Sequence, residues 1–186
     1  IFMSTNKVYG DNPNKLKIIE TKTRWELKKN DRYFRGIDEK FSIDNCTHSF
    51  FGVSKTYADL IVQEYGNNLG LKTVSFRAGC ITGPNHRGAE LHGFLSYLVK
   101  NSYFKKKYNF IGYKGKQVRD NLHSVDLIKC FWEYYKRPRP GKVYNIGGGR
   151  FSNCSIIEAI IIFENLTNIK VKTKIIKEPR VGDHIW

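Results

Sequence analysis

Apolar residues recur along the chain in short groups, and their spacing changes from that of strands to that of helices and back. Residues 1–4 predict a short buried strand, and residues 73–76, which are β-branched and aromatic, predict another. Between them, apolar side chains fall on one helical face and predict a helix from Val53 that ends at Gly66 or Gly70. That face consists of Tyr57, Leu60, Ile61 and Tyr65. Strand, helix and strand in this order are typical of a right-handed parallel crossover.

The second half of the chain repeats this alternation, which predicts an α/β architecture with a mostly parallel sheet. Ser155 and Glu158 form a capping box at the start of one helix, and Ser124 is placed to cap another. The predicted helices cover residues 91–100, 124–135 and 155–166, and the predicted strands cover residues 108–113, 143–146 and 170–176. Ligands of such sheets bind beyond the carboxyl ends of the strands.

The segment between the first strand and the first helix has a different pattern. Residues 14–45 are polar, charged and only weakly periodic. They predict a loop for most of their length, with one short helix near residues 23–29. The sequence contains no internal repeat.

Basic residues outnumber acidic ones by 32 to 17, which gives a formal net charge of +15. The lysine-rich runs fit solvated faces best, although a field of one sign also steers anionic ligands. Nucleic-acid binding is the third interpretation, but no reading motif supports it. The composition excludes collagen-like and disordered classes. The longest apolar stretch, residues 159–163, is far below the roughly 20 residues that span a bilayer, so we expect a soluble protein without a membrane partner.

The cysteines are scattered and lack the spacing of zinc ligands, so we predict a reduced, cytoplasmic setting and no metal. They are Cys46, Cys80, Cys130 and Cys154. The sequence begins inside an apolar run and stops without a terminating signal. We therefore interpret it as an excerpt of a longer protein.

Small and polar residues follow three of the predicted strands. They are Ser4 with Thr5, residues 78–80 and residues 147–149. Phe51 and Lys55 lie four residues apart and so face the same side at the start of a helix. Because the carboxyl ends of parallel strands meet at one edge of a sheet, these groups predict a common ligand site.

Five segments in a fixed order resemble motifs of the extended short-chain dehydrogenase/reductase family, the NAD-dependent epimerases and dehydratases of nucleotide-activated sugars. They are residues 3–10 (MSTNKVYG), 51–55 (FGVSK), 76–84 (FRAGCITGP), 118–126 (VRDNLHSVD) and 180–183 (RVGD). Within this family, residues 83–94 resemble most the branch of CDP-deoxyhexose 2-epimerases.

The resemblance implies a Rossmann-like, doubly wound sheet that is only partly present here, with a small C-terminal substrate-binding part. Residues 1–82 would form the C-terminal half of the NAD-binding domain. Residues 83–186 would form a mixed substrate-binding region with returning Rossmann elements near 108–113, 124–135 and 143–146. NAD would oxidise a sugar hydroxyl and later return the hydride. A homodimer of the full-length protein, paired through the lysine-bearing helix, is also implied.

Site residues carry over from the resemblance one by one. Thr5 matches the residue that hydrogen-bonds the reacting hydroxyl, and Lys55 matches the lysine that holds the nicotinamide ribose and lowers the pKa of the acid–base group. The cofactor side also includes Ser4, Ala78 and Cys80. The nucleotide sugar would contact Asn85, Arg119 and Arg180, and the two arginines would grip its diphosphate. The alternative for Arg119 is an ion pair with Asp120 or Asp126.

Two departures from the family pattern stand out. The tyrosine expected four residues before the lysine is Phe51, which has no proton to exchange, although general acid–base catalysis is typically worth about 10²- to 10⁴-fold in rate. His48, Cys80 and His123 are candidate replacement bases. In addition, no GxGxxG or GxxGxxG motif occurs in the sequence. We therefore expect mainly the nicotinamide side of the cofactor site here, and no turnover by these 186 residues alone.

Three functional hypotheses remain open. The leading one is an NAD-dependent epimerase or dehydratase of a nucleotide-activated sugar, most simply a CDP-deoxyhexose 2-epimerase. The second is a catalytically silent relative that binds NAD or a sugar nucleotide, which the loss of the tyrosine at Phe51 would explain. The third is a basic nucleic-acid-binding module, supported by charge alone.

Overall fold

The computed structural model describes all 186 residues as an α/β fold with eleven strands and five helices. The strands are β1 Phe2–Thr5, β2 Ile18–Glu20, β3 Trp25–Leu27, β4 Val74–Ala78, β5 Cys80–Thr82, β6 Tyr108–Ile111, β7 Val118–Arg119, β8 Asn121–His123, β9 Lys142–Ile146, β10 Cys154–Ser155 and β11 Thr173–Ile176. The helices are α1 Phe50–Leu69, α2 Phe94–Tyr103, α3 Ser124–Lys136, α4 Gly149–Ser152 and α5 Ile156–Thr167. Short 3-10 turns follow β1, at Asn6–Tyr9 and Asn12–Lys15.

A three-stranded parallel sheet in the order β1-β4-β9 forms the centre of the molecule. Every residue of β4 is buried, because this strand has a partner on each side and a helix over each face. Alternate side chains of β4 point to opposite faces. Arg77 contacts α1 through Asp59, whereas the Phe76 ring packs against Phe131 and Tyr134 of α3. The predicted doubly wound, mostly parallel arrangement is therefore confirmed.

Helix α1 confirms the predicted end at Gly70, which takes a left-handed conformation and donates its N–H to the carbonyl of Gly66. The face that predicted the helix is nevertheless largely exposed. The residues of α1 that are buried are Gly52, Asp59 and Gly66. Gly66 lies so close to the backbone of Gly141 that a Cβ would collide with it. The helix therefore packs on the sheet through two glycines and a polar network.

Three local predictions are wrong. Residues 23–29 are not helical: β2 and β3 form an antiparallel hairpin, which buries Leu27. The strand near residues 108–113 does not return to the central sheet, because β6 pairs with β11 instead. The cap of α3 is His123, whose Nδ1 accepts the Val125 N–H at 3.2 Å, and Ser124 is already helical.

Other boundaries hold closely. The capping box of α5 is present, with the Ser155 hydroxyl and the Glu158 carboxylate each accepting a backbone N–H of the other residue, at 3.0 and 2.9 Å. Helix α2 begins three residues later than predicted, at Phe94, after Gly93 in a left-handed conformation. Strand β9 lies beside β4 as the sequence pattern implied.

Eight of the fifteen buried apolar residues form two separate clusters. One lies between the central sheet and α3 and contains Val74, Phe76 and Tyr134. The other lies under β6, α2 and α5 and contains Leu98, Tyr108, Phe110, Ile156 and Ala159. None of the helices, α1 with its 20 residues included, is apolar enough over a sufficient length to cross a membrane.

Candidate functional site

A cavity of about 310 Å³ opens where the three central strands end. The register aligns these ends, because Thr5 pairs with Ala78 and Ala78 pairs with Ile146. The residues that follow the strands line the cavity, among them Lys7, Cys80 and Gly147. The site therefore lies at the carboxyl edge of the sheet, as a parallel α/β fold predicts.

The cavity wall is strongly basic. Its only acidic residue is Asp120, whose carboxylate accepts the Gly149 N–H at 2.9 Å and whose pKa is raised by burial. The basic residues of the wall are Lys7, Arg35, Arg77, Arg119 and Arg150. Such a wall favours an anionic ligand.

Arg119 makes the strongest polar contacts of the wall. Its guanidinium holds both carboxylate oxygens of Asp183 at 2.8 Å and donates to the His184 carbonyl at 2.7 Å. Arg180 approaches the same carboxylate at 3.9 Å and donates to the Leu91 carbonyl. Burial opposes ionisation of Asp183, but the charges of Arg119, Lys7 and Arg180 outweigh it and hold the carboxyl pKa below its usual range.

The two predicted diphosphate-binding arginines thus converge on one carboxylate, although only Arg119 lines the cavity. The expected alternative partners of Arg119 are not the ones used. Asp126 pairs with Lys129 at 3.0 Å on the surface of α3, and the carboxylate of Asp120 faces Gly149. One nitrogen of the guanidinium, Nη2, holds both carboxylate oxygens, and an anionic phosphate oxygen could accept from the same donor.

Lys55 and Thr5 lie at the same strand. The Lys55 ammonium donates to the Met3 carbonyl of β1 at 3.0 Å and sits 5.0 Å from the centre of the Phe2 ring. The Thr5 hydroxyl accepts the Lys7 N–H at 3.3 Å and so caps the turn after β1. Neither side chain is part of the cavity wall. Thr5 directly precedes Asn6, which lines the cavity, whereas no residue of α1 does.

The remaining predicted residues fall in different places. Phe51 is 54% exposed in the first turn of α1. The Ser4 hydroxyl donates to buried Asp59, so this side chain faces α1 rather than the cavity. Ala78 is buried within the sheet, whereas Cys80 lines the cavity, and burial raises the pKa of its thiol. Asn85 is exposed in the loop after β5 and makes no side-chain hydrogen bond.

The two candidate histidines are engaged elsewhere. His48 donates from Nε2 to the Val8 carbonyl at 2.8 Å and lies beside the Cys46 thiol. His123 caps α3 from an exposed position. Neither lines the cavity, so the structure does not bring them to the site.

Sequence reasoning missed a buried polar network that reaches the cavity. Asp59 is fully buried and accepts two hydrogen bonds from Arg77, both at 3.0 Å. Arg77 also donates to the Tyr9 hydroxyl at 3.1 Å, and Tyr9 donates to Asn145 at 2.8 Å. A signal was present: Asp59 lies four residues after Lys55, on the same helical face, and Arg77 is a charged residue within a strand of small and apolar residues.

The cavity roof comes from the polar segment before α1. Arg35 and Ile37 contribute to it, and the Asn145 amide donates to the Ile37 carbonyl at 2.8 Å. Arg150 lies 4.1 Å from the Phe34 ring centre and pairs with Glu26 at 2.9 Å. The segment predicted as a plain loop therefore shapes the site.

The residues present fit one side of an NAD site. A partly buried ammonium at Lys55 and a hydroxyl at Thr5 flank the ends of β1 and β4, which suits the polar nicotinamide ribose. The 186 residues contain no glycine loop of the kind that cradles pyrophosphate. When bound, NAD would supply the hydride acceptor of an alcohol oxidation.

Known proteins resemble this chain in both sequence and structure. CDP-paratose 2-epimerase of Salmonella typhi is 32% identical over 180 residues, which cover 92% of this chain and 51% of that protein. A dTDP-D-glucose 4,6-dehydratase of Dictyostelium discoideum is 31% identical over 163 residues, which cover 87% of this chain and 34% of that protein. The chain therefore spans about half the length, or less, of these curated relatives.

Solved structures show the same fold. UDP-glucose 4-epimerase of Thermus thermophilus, in complex with NAD, superposes with a TM-score of 0.73 at 19% identity, covering 99% of this chain and 52% of that one. DesIV, a dTDP-glucose 4,6-dehydratase of Streptomyces venezuelae with NAD and TYD bound, gives 0.71 at 20% identity, covering 99% and 48%. Residues 1–147 match the model of the NAD dependent epimerase/dehydratase family. The order of its motifs, its Rossmann-like fold and this match agree: the chain belongs to the NAD dependent epimerase/dehydratase family.

Proposed function

We propose that the protein is an NAD-dependent epimerase of a nucleotide-activated sugar, and that its substrate is a CDP-deoxyhexose inverted at C2. One observation supports this most directly: Arg119 and Arg180 converge on Asp183 beside a basic cavity at the carboxyl ends of the parallel strands. The choice of C2 and of a CDP sugar rests on residues 83–94 and on the 32% identity to CDP-paratose 2-epimerase.

The diphosphate would replace a carboxylate at the arginines. Asp183 now neutralises the guanidinium of Arg119 from both oxygens. A diphosphate presents the same oxygen pairs with more charge, and planar guanidinium groups bind it in the same bidentate way. Arg180 is 40% exposed at its side chain, and it would have to give up its hydrogen bond to the Leu91 carbonyl to turn toward an entering phosphate.

The redox side would use the residues around β1. NAD would accept the carbinol hydride. Lys55 would hold the nicotinamide ribose from the end of β1, while Thr5 would hydrogen-bond the reacting sugar hydroxyl. Ser4 would contribute through its backbone, since its hydroxyl is bound to Asp59. Cys80 and Asn85 would border the sugar from β5 and the loop after it.

The test requires the complete polypeptide that contains these 186 residues, purified with NAD. Incubation with a CDP-deoxyhexose should invert the sugar, seen by NMR as a change in the coupling of H2. Arg119→Lys should lower kcat/KM at least tenfold, because a lysine cannot present the two guanidinium nitrogens that hold Asp183 and the His184 carbonyl, whereas the exposed Arg139→Lys should have no effect. Equal activity of both variants would contradict the proposed diphosphate site.

A silent binding protein is the second candidate, and the observation that favours it is Phe51. This side chain occupies the turn of α1 before Lys55, half exposed and without any polar atom. If the site lacks only its phenol, Phe51→Tyr should raise turnover at least tenfold. No turnover in either form, with NAD and CDP still bound, would favour the silent protein.

We also propose a cytoplasmic homodimer paired through α1. Its exposed face carries four large apolar side chains between residues 57 and 65, and isolated apolar surface of this kind favours association. Light scattering of the complete protein should give twice the mass of one chain. Leu60→Glu with Ile61→Lys should convert it to a monomer, whereas the same charges at Leu166 and Thr167 of α5 should not.

A further inference from the structure

We propose that Lys7 is the acid–base group of this site and takes the role of the missing phenol. The inference deepens the proposed function and rests on it. It starts from position: Lys7 lies two residues after Thr5, lines the cavity, and has a side chain that is only 25% exposed.

The turn that carries Lys7 is packed against the turn of α1 that carries Phe51. Gly52 lies so close that a Cβ there would stand 2.9 Å from the Lys7 carbonyl oxygen. The Lys7 N–H donates to the Thr5 hydroxyl at 3.3 Å, which fixes the start of the turn. The backbone of Lys7 therefore lies between the residue matched to the reacting hydroxyl and the first turn of α1, where a tyrosine is expected, and its side chain extends from there toward Asp183.

The charged and titratable groups around the Lys7 ammonium come from three other parts of the chain. Asp183 approaches it at 3.6 Å, and Arg119, Arg180, Cys80 and His184 complete the surroundings. Burial, together with the two guanidinium groups, outweighs the attraction of Asp183 and lowers the pKa of Lys7 from 10.5 to about 8. A group with this pKa exchanges protons readily near neutral pH.

Apart from the arginines, four other titratable groups line the wall, and each is engaged or shifted away from neutral pH except Asp120, whose carboxylate accepts the Gly149 N–H at 2.9 Å and whose pKa is raised by burial. The Tyr9 hydroxyl is held between Arg77 and Asn145, and burial raises its pKa. Burial also raises the pKa of Cys80. Burial lowers the pKa of His184 to about 3, and this ring donates to the Gly10 carbonyl at 2.7 Å.

The proton balance is simple. The neutral Lys7 amine takes the proton of the sugar hydroxyl as the carbinol carbon is oxidised to a carbonyl, and bound NAD would supply the two-electron acceptor for the carbinol hydride. When the hydride returns to the opposite face of the carbonyl, the Lys7 ammonium gives its proton back to the oxygen, so the proton and the electron pair are both accounted for.

The experiment compares Lys7→Met, Lys7→Arg and Lys17→Met in the complete protein with NAD. Lys17 is an exposed lysine without an ion pair and serves as the matched control. Both Lys7 variants should lower kcat with a CDP-deoxyhexose at least 100-fold, because neither side chain can cycle a proton at neutral pH. The affinity for CDP, measured by calorimetry, should change less than threefold.

A second readout does not depend on turnover. Reductive ¹³C-methylation followed by NMR titration should give Lys7 a pKa of about 8. In the wild-type pH profile, kcat should fall below the same pKa, because the ammonium form cannot accept the proton.

Three results would overturn the inference. Activity within threefold of wild type in either Lys7 variant would exclude proton transfer by Lys7. Loss of CDP affinity in Lys7→Met with full activity in Lys7→Arg would make Lys7 a phosphate ligand. If the wild type is active and either of these results is found, the proposed function stands and only the role of Lys7 is excluded. If the wild type shows no turnover, both the proposed function and the role of Lys7 are excluded.

Discussion

Two arginine–aspartate pairs of this protein look alike and differ in use. Arg77 and Asp59 form a bidentate pair enclosed between β4 and α1, and Asp59 has no accessible surface. Arg119 and Asp183 form an equally close pair, but two more cations, Lys7 and Arg180, approach the carboxylate. Both arginines line the cavity, so the pairs differ in their carboxylates: Asp59 has one cationic partner and is sealed between α1 and β4, whereas Asp183 has three. We propose that a ligand anion replaces Asp183 and not Asp59, because excess positive charge surrounds Asp183.

The largest effect is expected where the enclosed pair is broken. Arg77→Met would leave Asp59 buried without a cation, which typically costs about 3–5 kcal/mol. Urea unfolding measures this loss. The double variant Arg77→Met with Asp59→Leu should recover more than half of it, since an apolar pair carries no unpaired charge. A double variant as unstable as the single one would show that the ion pair itself stabilises the fold.

Removal of Arg119 from its pair with Asp183 should weaken ligand binding more than it lowers stability. Arg119→Met leaves Asp183 with Lys7 and Arg180 as partners, so the cost in stability should be smaller than for Arg77→Met. The affinity for CDP should fall about ten- to hundredfold, equivalent to about 1.4–2.7 kcal/mol. Calorimetry with CDP tests this. If Arg77→Met weakens CDP binding as much while still folded, the distinction between the two pairs fails.

As the pH falls, the surroundings of the Arg119–Asp183 pair should lose stability before those of the Arg77–Asp59 pair. His184, whose carbonyl accepts from Arg119, has its pKa lowered by burial from 6.5 to about 3. The unfolded chain therefore binds a proton that the folded chain does not, so stability is full above pH 6.5 and falls between pH 6.5 and 3. We expect a loss of about 2 kcal/mol between pH 6.5 and 5. His184→Gln should flatten this part of the profile in urea unfolding.

The smallest effect on stability is expected for an exposed ion pair. Lys129 and Asp126 lie at 3.0 Å on α3, with side chains 71% and 54% exposed. Lys129→Met should leave the melting temperature unchanged within error, because solvent and salt screen such pairs. A clear loss in scanning calorimetry would mean that distance alone, without burial, governs these pairs.

The sequence predicts the framework because the framework depends on local signals. The end of α1 follows from Gly70, and the start of α5 follows from Ser155 and Glu158. The failed helix at residues 23–29 depends on distant partners: Arg24 reaches Glu158 at 2.6 Å and holds this segment against α5 as a hairpin. The sequence of residues 23–29 alone does not predict that contact.

The site follows a similar division. Arg119 and Arg180 can be chosen by their place in family motifs, and the structure brings them to one carboxylate. Arg35 and Lys7 line the cavity because of the course of the backbone in the segments that carry them, and hydrophobic periodicity does not predict that course. His48 is plausible by sequence distance alone, yet its ring turns to the Val8 carbonyl.

The contact of Gly66 with Gly141 makes α1 sensitive to a change far from the site. Lys55 lies eleven residues before Gly66, or roughly 16 Å along the helix axis. A methyl group at residue 66 would stand 2.0 Å from the backbone nitrogen of Gly141, so α1 or the turn before β9 would have to shift. The lack of a side chain at residue 66 thus helps to fix the path of the helix that carries the lysine.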